Sequence, residues 1–414
     1  MQVSRILPPL LVLLLASTAP AADWTRFRGP NGTGVSDDRD VPLPWTDDHV
    51  LFRIKLPGVG HSSPIVVKNR LLYQAATKSD RLLVCHDAET GKEQWTALVP
   101  GSVGKIQNPK GSLASSTPCS DGEHVFAVFW DGKRVLLHAY TLEGKLVWKH
   151  DLGPFTSQHG PGFSPVVVDG RVFVNNDQDG AANLLAFDAR TGKPLWEVER
   201  RAFRACYSTP FILEEPNGKQ LLVTSTAGVT AYNPANGKEL WTYAWSFSRM
   251  PLRTVASCIV SDGHIFCCAG DGSGDRNMIA VKLGGKGDVT RTNLTWSRDR
   301  ARATPYVPSL VAYQGHLYGV LDEGQAFCLE AVSGKEVWKS RLAANVSASP
   351  LLINGAVLVT SEKGEVFTFS PTPAGLKVVS RNRLDDTILA TPAVANGRLY
   401  FRGETHLIAI GKKK

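Results

Sequence analysis

Residues 164–196 read SPVVVDGRVFVNNDQDGAANLLAFDARTGKPLW. Two apolar runs flank Asp169-Gly170, a dipeptide typical of tight hairpin turns. A third apolar run is followed by the turn Thr191-Gly192-Lys193 and then by a fourth run that ends at Trp196. Short apolar runs separated by turn residues indicate β-strands joined by hairpins. The stretch therefore predicts one antiparallel sheet of four strands.

The beginning of this unit recurs along the chain as a pair of residues. Most copies are a serine or threonine followed by a proline. The eight starts are Ser63-Pro64, Thr117-Pro118, Ser164-Pro165, Thr209-Pro210, Ser257-Cys258, Pro308-Ser309, Ser349-Pro350 and Thr391-Pro392. Proline is tolerated at the first position of a strand because no ladder hydrogen bond is lost there. The starts are spaced by roughly 40–50 residues, which is the length of a propeller blade.

The end of the unit recurs as a Gly-Lys turn followed by a tryptophan. We expect the indole rings to fill the space between neighbouring blades, because a large apolar plate suits such an interface. The predicted structural tryptophans are Trp95, Trp148, Trp196, Trp241, Trp296 and Trp338. The fifth unit reaches Trp296 without the turn motif, and the seventh has Val378 and Val379 where a tryptophan is expected.

The eighth unit stops at Ile410 after only three predicted strands. A fourth is available near the other end of the chain, where VLFRIKL (Val50 to Leu56) alternates apolar and basic residues with the period of a strand. The prediction is an all-β, eight-bladed β-propeller of four-stranded antiparallel blades, with the ring closed by this N-terminal strand. Seven blades with an irregular insertion is the alternative, because the fifth and seventh units depart from the pattern.

The N-terminus is typical of a targeting segment. Arg5 precedes an apolar stretch from Ile6 to Ala16, and Ala19-Pro20-Ala21 fits the small-x-small pattern of signal peptidase sites. We predict a signal peptide over residues 1–22, an N-terminal extension over 23–49, one propeller domain over 50–411 and a basic tail over 412–414. Because no cysteine lies at the predicted cleavage site, we expect a soluble exported protein, periplasmic or secreted, that does not span the membrane.

The net charge of +8 and the isoelectric point near 9.1 favour acidic partners. Lys412 to Lys414 form the one basic run, and the usual nucleic-acid motifs are missing from the sequence. We therefore expect a monomer that does not bind nucleic acid.

The proline-containing starts, the third strands with AFD or AYN and the closing TGK-x-x-W resemble the pyrroloquinoline quinone-like propeller repeat. The resemblance covers residues 50–411, and the stretch from Trp24 to Gly34 resembles the N-terminal extension of exported single-domain relatives. The same repeat occurs in quinoprotein dehydrogenases and in the outer-membrane β-barrel assembly lipoprotein. The resemblance implies a fold, whereas the function depends on the site that the fold carries.

Loops that precede the blade starts converge on one mouth of the central channel in a propeller. The candidate ligand-binding residues in these loops are His61, Lys110, His159, Arg204, Tyr207, Arg253, Arg302, Tyr306 and Asn345. Such cationic and aromatic groups suit an anionic ligand or an acidic peptide. They do not form a nucleophile, base and orienter at a recognisable spacing, so we name no catalytic residue. The sequence favours a non-catalytic scaffold for a protein or peptide partner, and the resemblance implies a role in envelope protein assembly.

The alternative is a quinone-dependent alcohol or sugar oxidoreductase. Two sequence features resemble parts of such an enzyme. Quinoprotein dehydrogenases carry a vicinal disulfide, but Cys267 and Cys268 lie in a predicted strand, where consecutive side chains face opposite ways. The run from Asp271 to Asn277 resembles half of a calcium loop, yet Lys282 replaces the acidic twelfth residue. We therefore expect no metal site and no cofactor, with pyrroloquinoline quinone and calcium as the minority alternative. The seven cysteines, an odd number, do not predict a disulfide framework.

Overall fold

The computed structural model describes residues 23–30, 32–102, 110–247, 253–270, 275–299 and 304–413. These residues form eight antiparallel sheets, which confirms the predicted eight-bladed propeller. The predicted signal peptide and the last residue of the basic tail lie outside the described residues. No helix in the described part of the chain is long and apolar enough to cross a membrane.

The elements before the first blade are β1 (Val35–Ser36), a 3-10 helix (Asp47–His49) and β2 (Val50–Lys55). In blades 1 to 7, the first blade strand in sequence lies at the channel, whereas in blade 8 the first in sequence is β2, which is the outer strand. Blades 1 and 2 contain β3 (Ile65–Val67), β4 (Arg70–Ala76), β5 (Asp80–Asp87), β6 (Glu93–Pro100), β7 (Cys119–Ser120), β8 (His124–Trp130), β9 (Arg134–Thr141) and β10 (Leu146–Pro154). Blades 3 and 4 contain β11 (Val166–Val168), β12 (Arg171–Asn176), β13 (Asn183–Asp188), β14 (Pro194–Glu199), β15 (Phe211–Glu215), β16 (Gly218–Thr224), β17 (Gly228–Tyr232) and β18 (Glu239–Ala244).

The second half of the ring repeats this order with one interruption. Its strands are β19 (Ile259–Ser261), β20 (His264–Gly270), β21 (Arg276–Lys282), β22 (Gly287–Asp288), β23 (Leu294–Arg298), β24 (Val311–Tyr313), β25 (His316–Val320), β26 (Gln325–Glu330), β27 (Glu336–Arg341), β28 (Leu351–Ile353), β29 (Ala356–Thr360), β30 (Glu365–Ser370), β31 (Lys377–Arg383), β32 (Ala393–Ala395), β33 (Arg398–Arg402) and β34 (His406–Gly411). Strand β22 leaves blade 5 and pairs in parallel with the outer strand β18 of blade 4.

A belt of hydroxylated residues joins the blades around the channel. At six junctions, the backbone N–H of one blade-start residue donates to the Ser or Thr hydroxyl of the next blade, at 2.9–3.0 Å. For example, Ser63 donates to Thr117, and Thr117 donates to Ser164. The belt explains why the starts carry Ser or Thr. In blade 6 the hydroxyl comes from Ser309, the second residue of its start pair, whereas in the other starts it comes from the first residue.

The indoles of five tryptophans, in blades 1, 2, 3, 5 and 6, donate a hydrogen bond to the next blade. The Trp148 indole of blade 2 donates to the carbonyl of Ala189 in blade 3 at 2.9 Å, and a Cβ added to Gly192 would come within 2.5 Å of the ring. Trp95, Trp196 and Trp296 make the same pair of contacts with the following blade. Trp241 differs, because its indole donates to Gln220 within its own blade, next to the inserted β22.

Strand β2 closes the ring, as predicted. It pairs antiparallel with β34, and Ile54 lies opposite Leu407. A Cβ on Gly91 of blade 1 would meet the Phe52 and Ile54 side chains. These two residues therefore take the place that a tryptophan occupies at other blade junctions.

The extension over residues 23–49 runs along the face opposite the candidate binding loops. Trp24 pairs with Val66 of blade 1, and the carbonyl of Thr25 accepts from Ser120 of blade 2. Further on, the buried Arg28 donates to the carbonyl of Leu310 in blade 6, and β1 pairs in parallel with β28 of blade 7. We call this segment the lower strap, because it ties blades across the ring.

Candidate functional site

The loops between blades surround a cavity of about 730 Å³ on the face opposite the lower strap. We call it the upper cavity. It continues into a cavity of about 130 Å³ at the level of the hydroxyl belt, whose wall includes Phe27 of the strap. The structure places eight of the nine sequence-predicted residues around the upper cavity: His61, Lys110, His159, Arg204, Tyr207, Arg253, Tyr306 and Asn345. Arg302 lies outside the described residues.

The first charged cluster of the upper cavity is centred on Asp179. Its carboxylate accepts two hydrogen bonds from Arg253, at 2.9 and 3.1 Å, and one from the backbone N–H of Ala205. Arg204 approaches the same carboxylate at 3.9 Å and keeps 42% of its side chain exposed. Just below, the fully buried pair Arg200–Asp177 holds the strand end that leads into this loop. Arg204 is therefore the exposed cation of an otherwise fixed cluster.

The second cluster joins blades 5 and 6 through Arg276. Its guanidinium lies 3.0 Å from Asp322 and 3.3 Å from Glu323, and it stacks over the ring of Tyr306 at 5.8 Å. Asp322 also accepts the backbone N–H of Tyr306 at 2.8 Å and that of Val307 at 3.1 Å. These bonds fix the loop that enters blade 6, and the phenol ring of Tyr306 forms part of the cavity wall.

The third cluster spans blades 2 and 7. Lys110 lies 3.1 Å from Glu362 and donates to the hydroxyl of Ser347, and that hydroxyl donates to Glu362 at 2.6 Å. The partners are far apart in the chain, so the ring fold alone brings them together. About 44% of the Lys110 side chain stays exposed.

The remaining polar groups of the wall are uncharged at neutral pH. Burial, followed by the charge of Arg402, lowers the pKa of His61 to about 4. Burial also lowers the pKa of His159, with Arg253 as the next cause. The pKa of Tyr207 is raised to about 12 by burial, and its hydroxyl lies 2.5 Å from that of Ser157. The two imidazoles and the phenol can therefore donate and accept hydrogen bonds without carrying charge.

The carboxylates that pair with the cavity cations, of which Asp322 and Glu323 line the cavity wall, were missed by the sequence reasoning, which considered the cations and aromatics alone. Asp179, Asp322, Glu323 and Glu362 all follow the second strand of a blade by a few residues. That position is the signal that could have found them, because the ends of the second strands share a face with the starts of the blades. Each charged cluster thus contains both signs, and the wall offers fixed donors beside fixed acceptors.

The features considered for a quinone site do not meet at the upper cavity. Cys267 packs among buried side chains between blades 4 and 5, whereas Cys268 packs between blades 5 and 6. The first four residues of the candidate calcium loop lie outside the described residues. Within the described residues, His, Cys, Asp and Glu side chains form no group of three that could hold a metal ion. This donor set of the described residues does not fit calcium, and we derive no step through quinone or calcium.

Comparison with known families agrees with this fold. The family model described as outer membrane protein assembly factor BamB matches residues 79–307 and 287–374. The chain belongs to this family. The matched ranges run from the third strand of blade 1 to the third strand of blade 7, so membership rests on most of the propeller.

Individual members of the BamB family are distant from this chain. BamB of Yersinia pestis is 21% identical over 342 residues, which are 78% of each protein. The dehydrogenase subunit of a quinone alcohol dehydrogenase of Gluconobacter oxydans is 28% identical, but over 42% of this chain and 24% of that protein.

Solved structures show the same propeller fold. BamB of Moraxella catarrhalis superposes with a TM-score of 0.64 and 14% identity, over 87% of this chain and 99% of that one. A quinohemoprotein alcohol dehydrogenase of Comamonas testosteroni gives a TM-score of 0.68 at 14% identity, over 96% and 82% of the two chains. At such identities the likeness concerns the fold, which both functional classes share.

Proposed function

We propose that this chain is an exported, monomeric propeller scaffold that binds a protein partner through its upper cavity and rim, in the assembly of outer-membrane proteins. The observation that carries the proposal is the pairing of each cavity cation with a carboxylate on a rigid loop. A polypeptide presents N–H donors and C=O acceptors together, and such a wall can satisfy both kinds of group. The family membership supports the same role.

The rim beside Arg204 has the composition of a protein-binding surface. Phe203 leaves 55% of its surface exposed on this loop. The backbone N–H groups of Phe203 and Arg204 both donate to the hydroxyl of Thr226, at 2.9 and 3.3 Å. An aromatic residue beside an arginine on a preorganised loop is typical of binding hot spots.

The test is binding of a purified outer-membrane β-barrel protein, kept unfolded in dilute urea, to the mature chain. We expect saturable binding, and we expect the double variant Phe203→Ala, Arg204→Ala to bind at least about tenfold more weakly. The loop should stay in place in this variant because its bonds to Thr226 use the backbone. Val332→Ala is the matched control, since Val332 is 56% exposed in a turn on the opposite face.

Genetic complementation tests the role in the cell. Deletion of the gene from the source organism should lower the amount of β-barrel proteins in its outer membrane. The wild-type gene and Val332→Ala should restore that amount, whereas the double variant should not. Unchanged outer-membrane proteins after deletion would refute the assembly role, and full restoration by the double variant would refute the upper rim as the binding surface.

A further inference from the structure

Cys258 and Cys267 face each other across the inner hairpin of blade 5. Cys258 directly precedes β19, and Cys267 lies within β20. The register of this hairpin pairs Ser261 with His264 and Ile259 with Phe266. One further step along the same register places Cys258 opposite Cys267.

The hairpin turn decides how close the two backbones come. Asp262 and Gly263 both have positive φ, 49° and 70°, as a two-residue type I′ turn requires. The residues that flank such a turn exchange backbone hydrogen bonds, and the pairs then alternate along the hairpin. Counting from Ser261–His264, Cys258–Cys267 is a non-hydrogen-bonded pair, whose Cα atoms lie about 4.5 Å apart in antiparallel sheets. Disulfides span about 4.4–6.8 Å between Cα atoms.

The side chains point to the same side. Cys258 and Cys267 both belong to the buried cluster between blades 4 and 5, where their relative exposures are 1% and 0%. The two thiols contact each other, and the hydroxyl of Thr224 in blade 4 donates to the sulfur of Cys267 at 3.8 Å. The adjacent Cys268 packs on the other face of the blade. Geometry therefore selects Cys258, and not Cys268, as the neighbour of Cys267.

We propose that Cys258 and Cys267 form a disulfide that ties the two inner strands of blade 5 when the chain folds in an oxidising compartment. One thiolate attacks the disulfide of a thiol-oxidising protein and forms a mixed disulfide, and the second thiolate then displaces the donor's sulfur. Two S–H bonds are lost, one S–S bond forms and two protons leave. The two electrons and the two protons pass to the donor, whose disulfide becomes two thiols. Because both sulfurs are buried in the finished ring, the exchange takes place before blades 4 and 5 pack together.

The inference rests on the proposed export of the chain and is independent of what the upper rim binds. Its first test is a thiol count on the mature chain exported to a bacterial periplasm by a host signal sequence. The chain has seven cysteines. After unfolding without reductant, five should react with iodoacetamide, and all seven should react after reduction. The same chain made in a reducing cytoplasm is the control and should show seven from the start.

Peptide mapping identifies the bonded pair. Trypsin leaves Cys258, Cys267 and Cys268 in one peptide, residues 254–276, and cleavage before Asp262 separates Cys258 from the other two. We expect the exported peptide to be lighter by two hydrogens, and its two cysteine-containing fragments to stay joined until reduction. Cys268→Ser and the distant Cys328→Ser should keep the link, and Cys267→Ser should lose it.

Three results would overturn the proposal: seven reactive thiols in the exported chain, a bond between Cys267 and Cys268, or a link that survives Cys258→Ser. Alkylating the free thiols before reduction marks whichever of Cys267 and Cys268 is unpaired, so sequencing the wild-type peptide by mass spectrometry decides the pairing whether or not the serine variants fold.

Discussion

His138 illustrates how the interior of a blade controls the charge of a side chain. It lies on β9 with 5% of its surface exposed, its Nδ1 is 2.9 Å from the hydroxyl of Tyr140, and Phe129 meets its ring edge-on at 5.3 Å. Burial, followed by the charge of Lys149, lowers the pKa of His138 to about 4. The imidazole is therefore neutral in the folded protein at the pH values where an exposed histidine is half protonated.

This pKa predicts a loss of stability in mild acid. Between pH 6.5 and 4 the unfolded chain binds a proton at His138 that the folded chain does not, so the free energy of unfolding rises with pH in that window. From pH 7.5 to pH 5 we expect His138 to account for a loss of roughly 2 kcal/mol. Urea unfolding at the two pH values measures it.

His138→Gln, which removes the titrating group, should show a smaller loss than the wild-type chain over the same interval. His316→Gln, a half-buried position at the start of β25 in blade 6, is the control and should behave like wild type. An equal loss in His138→Gln and wild type would contradict the assignment.

The sequence predicted where the cavity residues lie better than it predicted which charged partners they have. His159 and Arg204 could be placed at the mouth because each precedes a blade start. Their partner Asp179 could not be assigned, because its bond to Arg253 spans 74 residues and depends on two different loops meeting. Pairing of this kind follows from the closed ring and from the exact path of loops, neither of which has a local sequence signal.

The turn between the third and fourth strands of a blade is the element that locks one blade to the next. Gly192 and Gly170 offer a matched comparison within blade 3, because both have φ near +70°. A Cβ on Gly192 would come within 2.5 Å of Trp148, whereas a Cβ on Gly170 would meet nothing within 4 Å. An alanine would meet the same backbone strain at both positions, and only at Gly192 would its Cβ also clash with a neighbouring side chain.

We therefore predict that Gly192→Ala destabilises the protein more than Gly170→Ala. Both variants should lose about 1 kcal/mol or slightly more from an alanine at positive φ, and Gly192→Ala should lose roughly 1–3 kcal/mol more because it overpacks the tryptophan contact. Chemical unfolding of both variants measures the difference. Equal losses would show that the Trp148 ring moves freely and does not lock the blades.

The strands themselves were predictable to different degrees. Strand β2 was found because Phe52, Ile54 and Leu56 alternate with basic residues over a full strand length. Strands β1 and β22 were not predicted, since each pairs over two residues and in parallel, through backbone groups that any sequence could supply. Short additions to an outer or inner strand leave no periodic pattern to detect.

For the molecule as a whole, the choice between scaffold and quinone enzyme can be tested by ligand-linked stability. A ligand present at about 100 times its dissociation constant stabilises a folded protein by roughly 2.7 kcal/mol. We predict that pyrroloquinoline quinone with calcium, at millimolar concentration, leaves the melting temperature of the mature chain unchanged. A quinoprotein dehydrogenase in its apo form serves as the positive control. A clear upward shift, lost in Arg204→Ala, would favour the oxidoreductase alternative.

The closure of the ring by β2 and β34 has a consequence for the timing of folding. The strand that completes blade 8 is made before any other blade strand, and its partner is made last, more than 350 residues later by the register that pairs Lys55 with His406. Blades 1 to 7 can form one after another as the chain lengthens, but the first strand has to wait for the final one. During that interval the strand edges at both ends of the open ring have unpaired backbone groups that can pair with other chains. Synthesis that stops within blade 8 therefore yields a nearly complete propeller that is not closed and is prone to aggregate.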